Sequence, residues 1–158
     1  MSLLVDNPIL NSPFESPGRH WTYKEGQPVL KDGRRRAGYY LKPRTTGAQT
    51  ALFEEEFVPL DTVNTIRDKV DSWRERGYPG LTSGITRQLL CHWTRPERER
   101  RLFFCQVEAV ETLIWLTEGL QADRLGVNLP RDEDLVRYAC KMATGSGKTV
   151  VMGMVIAW

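Results

Sequence analysis

The segment Met142-Ala143-Thr144-Gly145-Ser146-Gly147-Lys148-Thr149 constrains this chain more than any other, because of what flanks it. Before it lies a short β-prone run over 135–142, and after it the apolar stretch 150–158. A strand-prone run, a glycine loop and an apolar helix form a strand–loop–helix unit, which belongs to α/β architecture. Glycines at 145 and 147 open backbone conformations closed to other residues and allow a ligand close to the main chain. The amides of residues 145–148 can then converge at the positive end of the following helix.

Such a cradle suits the oxygens of a nucleoside triphosphate. Lys148 supplies a point charge for the β- and γ-phosphates, and the Thr149 hydroxyl can reach Mg²⁺. Thr144 and Ser146 complete the expected nucleotide-binding set with Gly145 and Gly147. The longer pattern G-x-x-x-x-G-K-[ST] is not met, because Met142 stands where its first glycine would be. The plain alternative is an ordinary strand-to-helix turn with a surface lysine.

The 158 residues are about one domain's worth, and 41% hydrophobic with 27% charged is the balance of an ordinary globular chain. No apolar run approaches the roughly 20 residues that span a bilayer, and the start lacks the basic flank and apolar stretch of a signal peptide. A cytoplasmic protein with no membrane association is expected. Cys91, Cys105 and Cys140 are too widely spaced for a disulfide framework, and with two histidines they make no metal motif. Their apolar surroundings predict buried, inert thiols.

Net charge is only +2, but residues 1–50 hold eight Lys/Arg against four Asp/Glu. The cluster Arg34-Arg35-Arg36 could contact nucleic-acid phosphates; a solvated turn is the plainer reading. Trp21, Tyr23, Tyr39 and Tyr40 could stack on bases, though such residues more often pack under loops.

Three regions are expected. Residues 1–60 read as a basic β/loop arm with little core, its β-prone runs at 28–31 and 37–42 joined by an Asp32-Gly33 turn. Residues 61–100 read as a helical pair. Val63, Ile66, Val70 and Trp73 mark the first helix, capped by Asp61 or Thr62 and stopped by Gly77-Tyr78-Pro79-Gly80. Ile85, Leu89 and Trp93 mark the second, capped by Thr82 or Ser83. Residues 101–158 hold a helix over 103–120 with an apolar arc of Val107, Val110, Leu113, Ile114 and Leu116. A polar link at 121–134 leads to the strand, the loop and a buried helix after Lys148.

The octapeptide 142–149 resembles motif I of superfamily 2 helicases, in wording closest to the helicase subunits of type III restriction enzymes and related DEAD/DEAH-box proteins. Phe103-Phe104-Cys105-Gln106-Val107-Glu108-Ala109 is similar to the glutamine motif that opens their first RecA-like domain. Further similar phrases are Asn11-Ser12-Pro13-Phe14-Glu15, Arg19-His20-Trp21, Gly33-Arg34-Arg35 with Tyr39-Tyr40, and residues 73–80. The resemblance implies the start of a RecA-like P-loop domain (its first strand and helix) behind a helical pair and an irregular arm. It also implies an ATP- and Mg²⁺-dependent DNA helicase or translocase of a restriction system, partnered by a methyltransferase or specificity subunit. Lys148 would then be the catalytic residue, and the Gln106 amide would read the adenine edge.

Two departures follow. The 42 residues from Gln106 to Lys148 exceed the usual interval, so 121–134 reads as an insertion. The sequence also stops nine residues after Thr149, before any Asp-Glu pair, second RecA-like domain, arginine finger or nuclease carboxylate. The chain therefore reads as the front end of a motor, expected to bind ATP-Mg²⁺ weakly or not at all and to be inactive by itself. Rival readings are a small-molecule P-loop kinase, a docking module with a vestigial loop, and a truncated product without function.

Overall fold

A computed structural model describes residues 9–24, 27–41, 56–127, 129 and 137–158. In chain order they form β1 (Arg19–Lys24), β2 (Gln27–Asp32), β3 (Gly38–Leu41), β4 (Glu56–Pro59), α1 (Asp61–Glu75), α2 (Gly84–Trp93), α3 (Phe104–Glu118) and α4 (Lys148–Ala157). The fold is mixed α/β, with two small antiparallel sheets beside four helices.

β1 pairs with β2, and Trp21 stands opposite Leu30. β3 pairs with β4, so Tyr40 faces Phe57 with ring centroids 5.2 Å apart. The two strands expected on either side of Asp32-Gly33 thus exist but lie in different sheets. Gly33 has a φ of +87° and sends its N–H back to the Gly18 carbonyl at 2.7 Å, closing the foot of the β1–β2 ribbon instead of turning β2 onto β3. None of the described residues of 9–60 is fully buried, and Tyr23, Tyr39 and Tyr40 are exposed rather than packed beneath loops. Two-stranded ribbons are too thin to enclose side chains and need an outside surface.

That surface is α1. Asn64, 2% exposed, accepts from the Ala37 N–H at 2.8 Å and donates to the Ala37 carbonyl at 3.0 Å. A second attachment joins the segment before β1 to α3, where the Phe104 N–H donates to the Pro13 carbonyl at 2.8 Å. These bonds satisfy backbone groups that the short strands leave open.

The core lies between the helices, with Val70, Trp73, Leu90, Val110, Ile114 and Trp115 at its centre. α1 buries Ile66, Val70 and Trp73 as the periodicity predicts, whereas Val63 remains 39% exposed. Its N-cap is Leu60, without a side-chain cap, instead of Asp61 or Thr62. Its end is built by Gly77, Tyr78 and Gly80, all with positive φ. Trp73 holds that turn through its Nε1–H to the Pro79 carbonyl at 2.9 Å. α2 is capped by Ser83, whose hydroxyl accepts from the Thr86 N–H. It buries Thr86, Leu90 and Trp93, while the expected Ile85 points outward at 66% exposure.

α3 carries a carboxylate that its apolar arc hides. Glu111 is wholly buried and accepts from Arg74 Nε and Nη2 of α1 and from the Tyr78 hydroxyl, at 2.5 to 3.0 Å. Arg74 also reaches Asp71 at 2.5 Å. Burial lowers the Arg74 pKa, but Glu111 and Asp71 more than reverse it, so the guanidinium stays charged and fixes α1 against α3.

Three expectations are corrected here. Residues 137–143 are irregular rather than a strand, and 135 and 136 lie outside the described residues. A strand needs a hydrogen-bonded neighbour, and among the described residues none lies beside this run. α4 is not a buried helix: it seats Val151 and Met154 but leaves Val150, Met152 and Ile156 at 43%, 63% and 83% exposure, because α3 is its main neighbour. The three cysteines are all exposed, since each falls off the core face of its segment. No helix among the described residues is long and apolar enough to cross a membrane.

Candidate phosphate-binding loop

Residues 143–147 bend sharply into the N-terminus of α4. Gly145 and Gly147 both have φ of +81°, where a Cβ would meet the backbone, and Gly147 is the N-cap of α4. The Ala143 carbonyl closes the bend by accepting from the Ser146 hydroxyl at 2.7 Å and the Ser146 N–H at 3.3 Å. The Gly147 carbonyl begins the helix by accepting from Val150 and Val151. The N–H groups of Gly145, Gly147, Lys148 and Thr149 find no partner among the described residues. Four open donors at the positive end of a ten-residue helix are the ingredients of an anion site.

The side chains around the bend differ in freedom. Lys148 is exposed, and its ammonium folds back to donate to the Ala143 carbonyl at 3.2 Å. One weak bond in solvent leaves it able to swing onto a ligand. Thr144 and Thr149 are exposed as well. Among the described residues no group of His, Cys, Asp or Glu is arranged to hold a metal. Mg²⁺ takes oxygen ligands and keeps several waters, so a single hydroxyl at Thr149 suits an ion that arrives on a triphosphate.

Gln106, 40 residues before Ser146 in sequence, joins the loop in space. It is 5% exposed; its Oε1 accepts from the Phe103 N–H at 3.0 Å and its Nε2 donates to the Ser146 carbonyl at 2.9 Å. A Cβ added at Gly147 would collide with that Nε2. Gln106 therefore positions the loop from below. One N–H and one lone pair of its amide remain for a ligand edge. Beside it, Phe103, Ser12, Glu15 and Thr144 border an open cavity of ≈ 440 Å³ against the loop.

The arginine run divides. Arg34 pairs with Glu108 of α3 through its two terminal guanidinium nitrogens, Nη1 and Nη2, the Nη2–Oε2 bond being 2.6 Å. Those hydrogen bonds, against the burial, raise its pKa. Its guanidinium also lies 5.5 Å from the Phe104 ring. Arg36 reaches Asp68 at 3.1 Å on the surface, and Arg35 lies 5.4 Å from the Tyr40 ring. Sequence reasoning overlooked Glu108 and Glu111 as anchors because both sit among apolar neighbours and their arginines are 74 and 37 residues away.

No protein-family model, curated protein or solved structure matches the chain.

Proposed function

We propose that the 142–149 loop holds the triphosphate of ATP with Mg²⁺, as the nucleotide site of a DNA helicase or translocase of the restriction type. The observation that carries this reading is the 2.9 Å bond from Gln106 Nε2 to the Ser146 carbonyl. It links the glutamine and glycine-loop motifs, which the resemblance treats as parts of one nucleotide pocket. In the proposed pocket the free amides and the α4 terminus bind phosphate oxygens, Lys148 leaves the Ala143 carbonyl for the β- and γ-phosphates, and Thr149 meets the ion. Gln106 keeps the bend in register and offers its remaining N–H to the base. A RecA-like setting for the loop is part of the proposal: parallel strands beside 137–143 would cover the apolar outer face of α4.

Titration with a fluorescent ATP analogue and Mg²⁺ tests it. Wild type is expected to bind, and Lys148→Ala to bind ten- to a hundredfold more weakly, the effect of about 1.5–3 kcal/mol for a charged hydrogen bond. Equal affinity in both proteins would leave the loop without a phosphate role and favour a docking module.

A further inference from the structure

A pocket of ≈ 460 Å³ opens where the segment before β1 meets the Arg34 bend and α1. Arg19, Arg34, Arg35 and Arg67 line it with His20, and no carboxylate is among its walls. Their roles differ. Arg34 is locked to Glu108 and forms a fixed positive wall. His20 is tied through Nδ1 to the Gly33 carbonyl at 2.8 Å. Arg67 is half-buried and makes no hydrogen bond or ion pair among the described residues. Burial, and then Arg34, push its pKa down despite Asp68, Asp71 and Glu108 nearby. Arg19 and Arg35 are exposed, with no salt bridge among the described residues.

The acids near these arginines sit behind the pocket wall, on Arg34 and beside Arg67, so the opening itself presents guanidinium groups without a lining carboxylate, and an anion there would relieve their mutual repulsion. The cations also continue past the pocket. Arg34 and Arg67 line the neighbouring groove of ≈ 710 Å³, which runs beside α3 to Ser146 and adds Arg137 and Lys141. Its one lining carboxylate is Glu108, which Arg34 neutralises. Four arginines and a histidine around one opening, continued by two further cations in a largely apolar groove, match a repeating polyanion better than one compact phosphate.

We propose that this pocket and groove bind the phosphodiester backbone of a nucleic-acid strand, with Arg19, Arg35 and Arg67 as the contacting groups. The site extends the translocase reading, but its contacting groups Arg19, Arg35 and Arg67 lie outside the 142–149 loop, so the two can fail separately. The guanidinium forks pair with phosphate oxygens without reading bases, so binding is indifferent to sequence and sensitive to salt.

The test is fluorescence anisotropy of a labelled single-stranded oligonucleotide of mixed sequence with the full chain, across a range of KCl and without nucleoside triphosphate. Wild type binds, with log K falling linearly in log salt. Arg67→Gln weakens binding on the order of tenfold and flattens the salt slope by about 0.7, the share of one phosphate contact on a single strand. If Arg67→Gln fails to fold by circular dichroism, the double variant Arg19→Gln/Arg35→Gln decides, because both side chains are exposed; its slope flattens twice as far. Arg98→Gln removes the same charge outside the pocket and leaves the affinity within twofold. Absence of wild-type binding at low salt, loss equal to that of Arg98→Gln, or full competition by pyrophosphate at matched phosphate concentration would each overturn the proposal. The last result would assign the pocket to a small anion.

Discussion

Replacing Gly147 with alanine tests how the loop is held. The structure gives two separate costs. The first is conformational: φ of +81° is the left-handed region, where a Cβ costs roughly 1–2 kcal/mol. The second is the collision with Gln106 Nε2, which also puts the Gln106 Cδ at 3.4 Å. A free side chain would step aside at little cost, but this amide is buried and bonded at both ends, to Phe103 and Ser146. Swinging it away gives up two hydrogen bonds of about 1 kcal/mol each. Gly147→Ala should therefore cost about 3–4 kcal/mol in wild type and only about 1–2 kcal/mol in a Gln106→Ala background, where the obstacle is gone. Urea unfolding followed by tryptophan fluorescence, on the two single variants and the double, yields that coupling. Trp73 and Trp115 lie in the core and report the transition. Identical penalties in both backgrounds would mean that Gln106 does not hold the bend, and the argument linking the two motifs would fail with it.

Two more predictions come from the brace between α1 and α3. Glu111→Ala leaves the Arg74 guanidinium with Asp71 alone and the Tyr78 hydroxyl without its acceptor, and should destabilise the protein by about 1.5–3 kcal/mol in the same urea assay; a loss below about 0.5 kcal/mol would show the brace to be incidental. Tyr78 makes an alkaline prediction, because burial, then Glu111, raise its phenol above the ordinary value of 10.0. The folded state thus holds that proton more tightly than the unfolded chain, so the contribution is complete below pH 10 and is lost as pH rises beyond it. Tyr78→Phe should be less stable at neutral pH, yet lose less between neutral pH and pH 11 than wild type does; parallel losses would remove the linkage. For the loop, Lys148→Ala and the nucleotide titration provide the independent check on phosphate binding.

Local chemistry was legible in the sequence. The apolar spacing of Ile66, Val70 and Trp73 is a property of one helix and survives any packing arrangement. Ser83 as a cap, and glycines at 145 and 147 in left-handed conformations, are likewise decided within a few residues. Strand partners were not legible, because β2 and β3 are equally good strands in either sheet; the Gly33–Gly18 bond and the Asn64 clamp on Ala37 decide between them. The same holds for Leu90 over Ile85, which depends on which side of α2 the other helices approach.

Charge separated the two kinds of information most sharply. From sequence, Arg34, Arg35 and Arg36 are one basic run and Glu108 and Glu111 are isolated acids on an apolar helix. Folding turns Arg34 inward onto Glu108, sets Arg74 on Glu111, leaves Arg36 to Asp68 at the surface, and brings Arg67 beside Arg19 and Arg35. A residue's type fixes whether it can carry charge. Which opposite charge it meets, and whether water still reaches it, depends on contacts tens of residues away that only the packed chain creates.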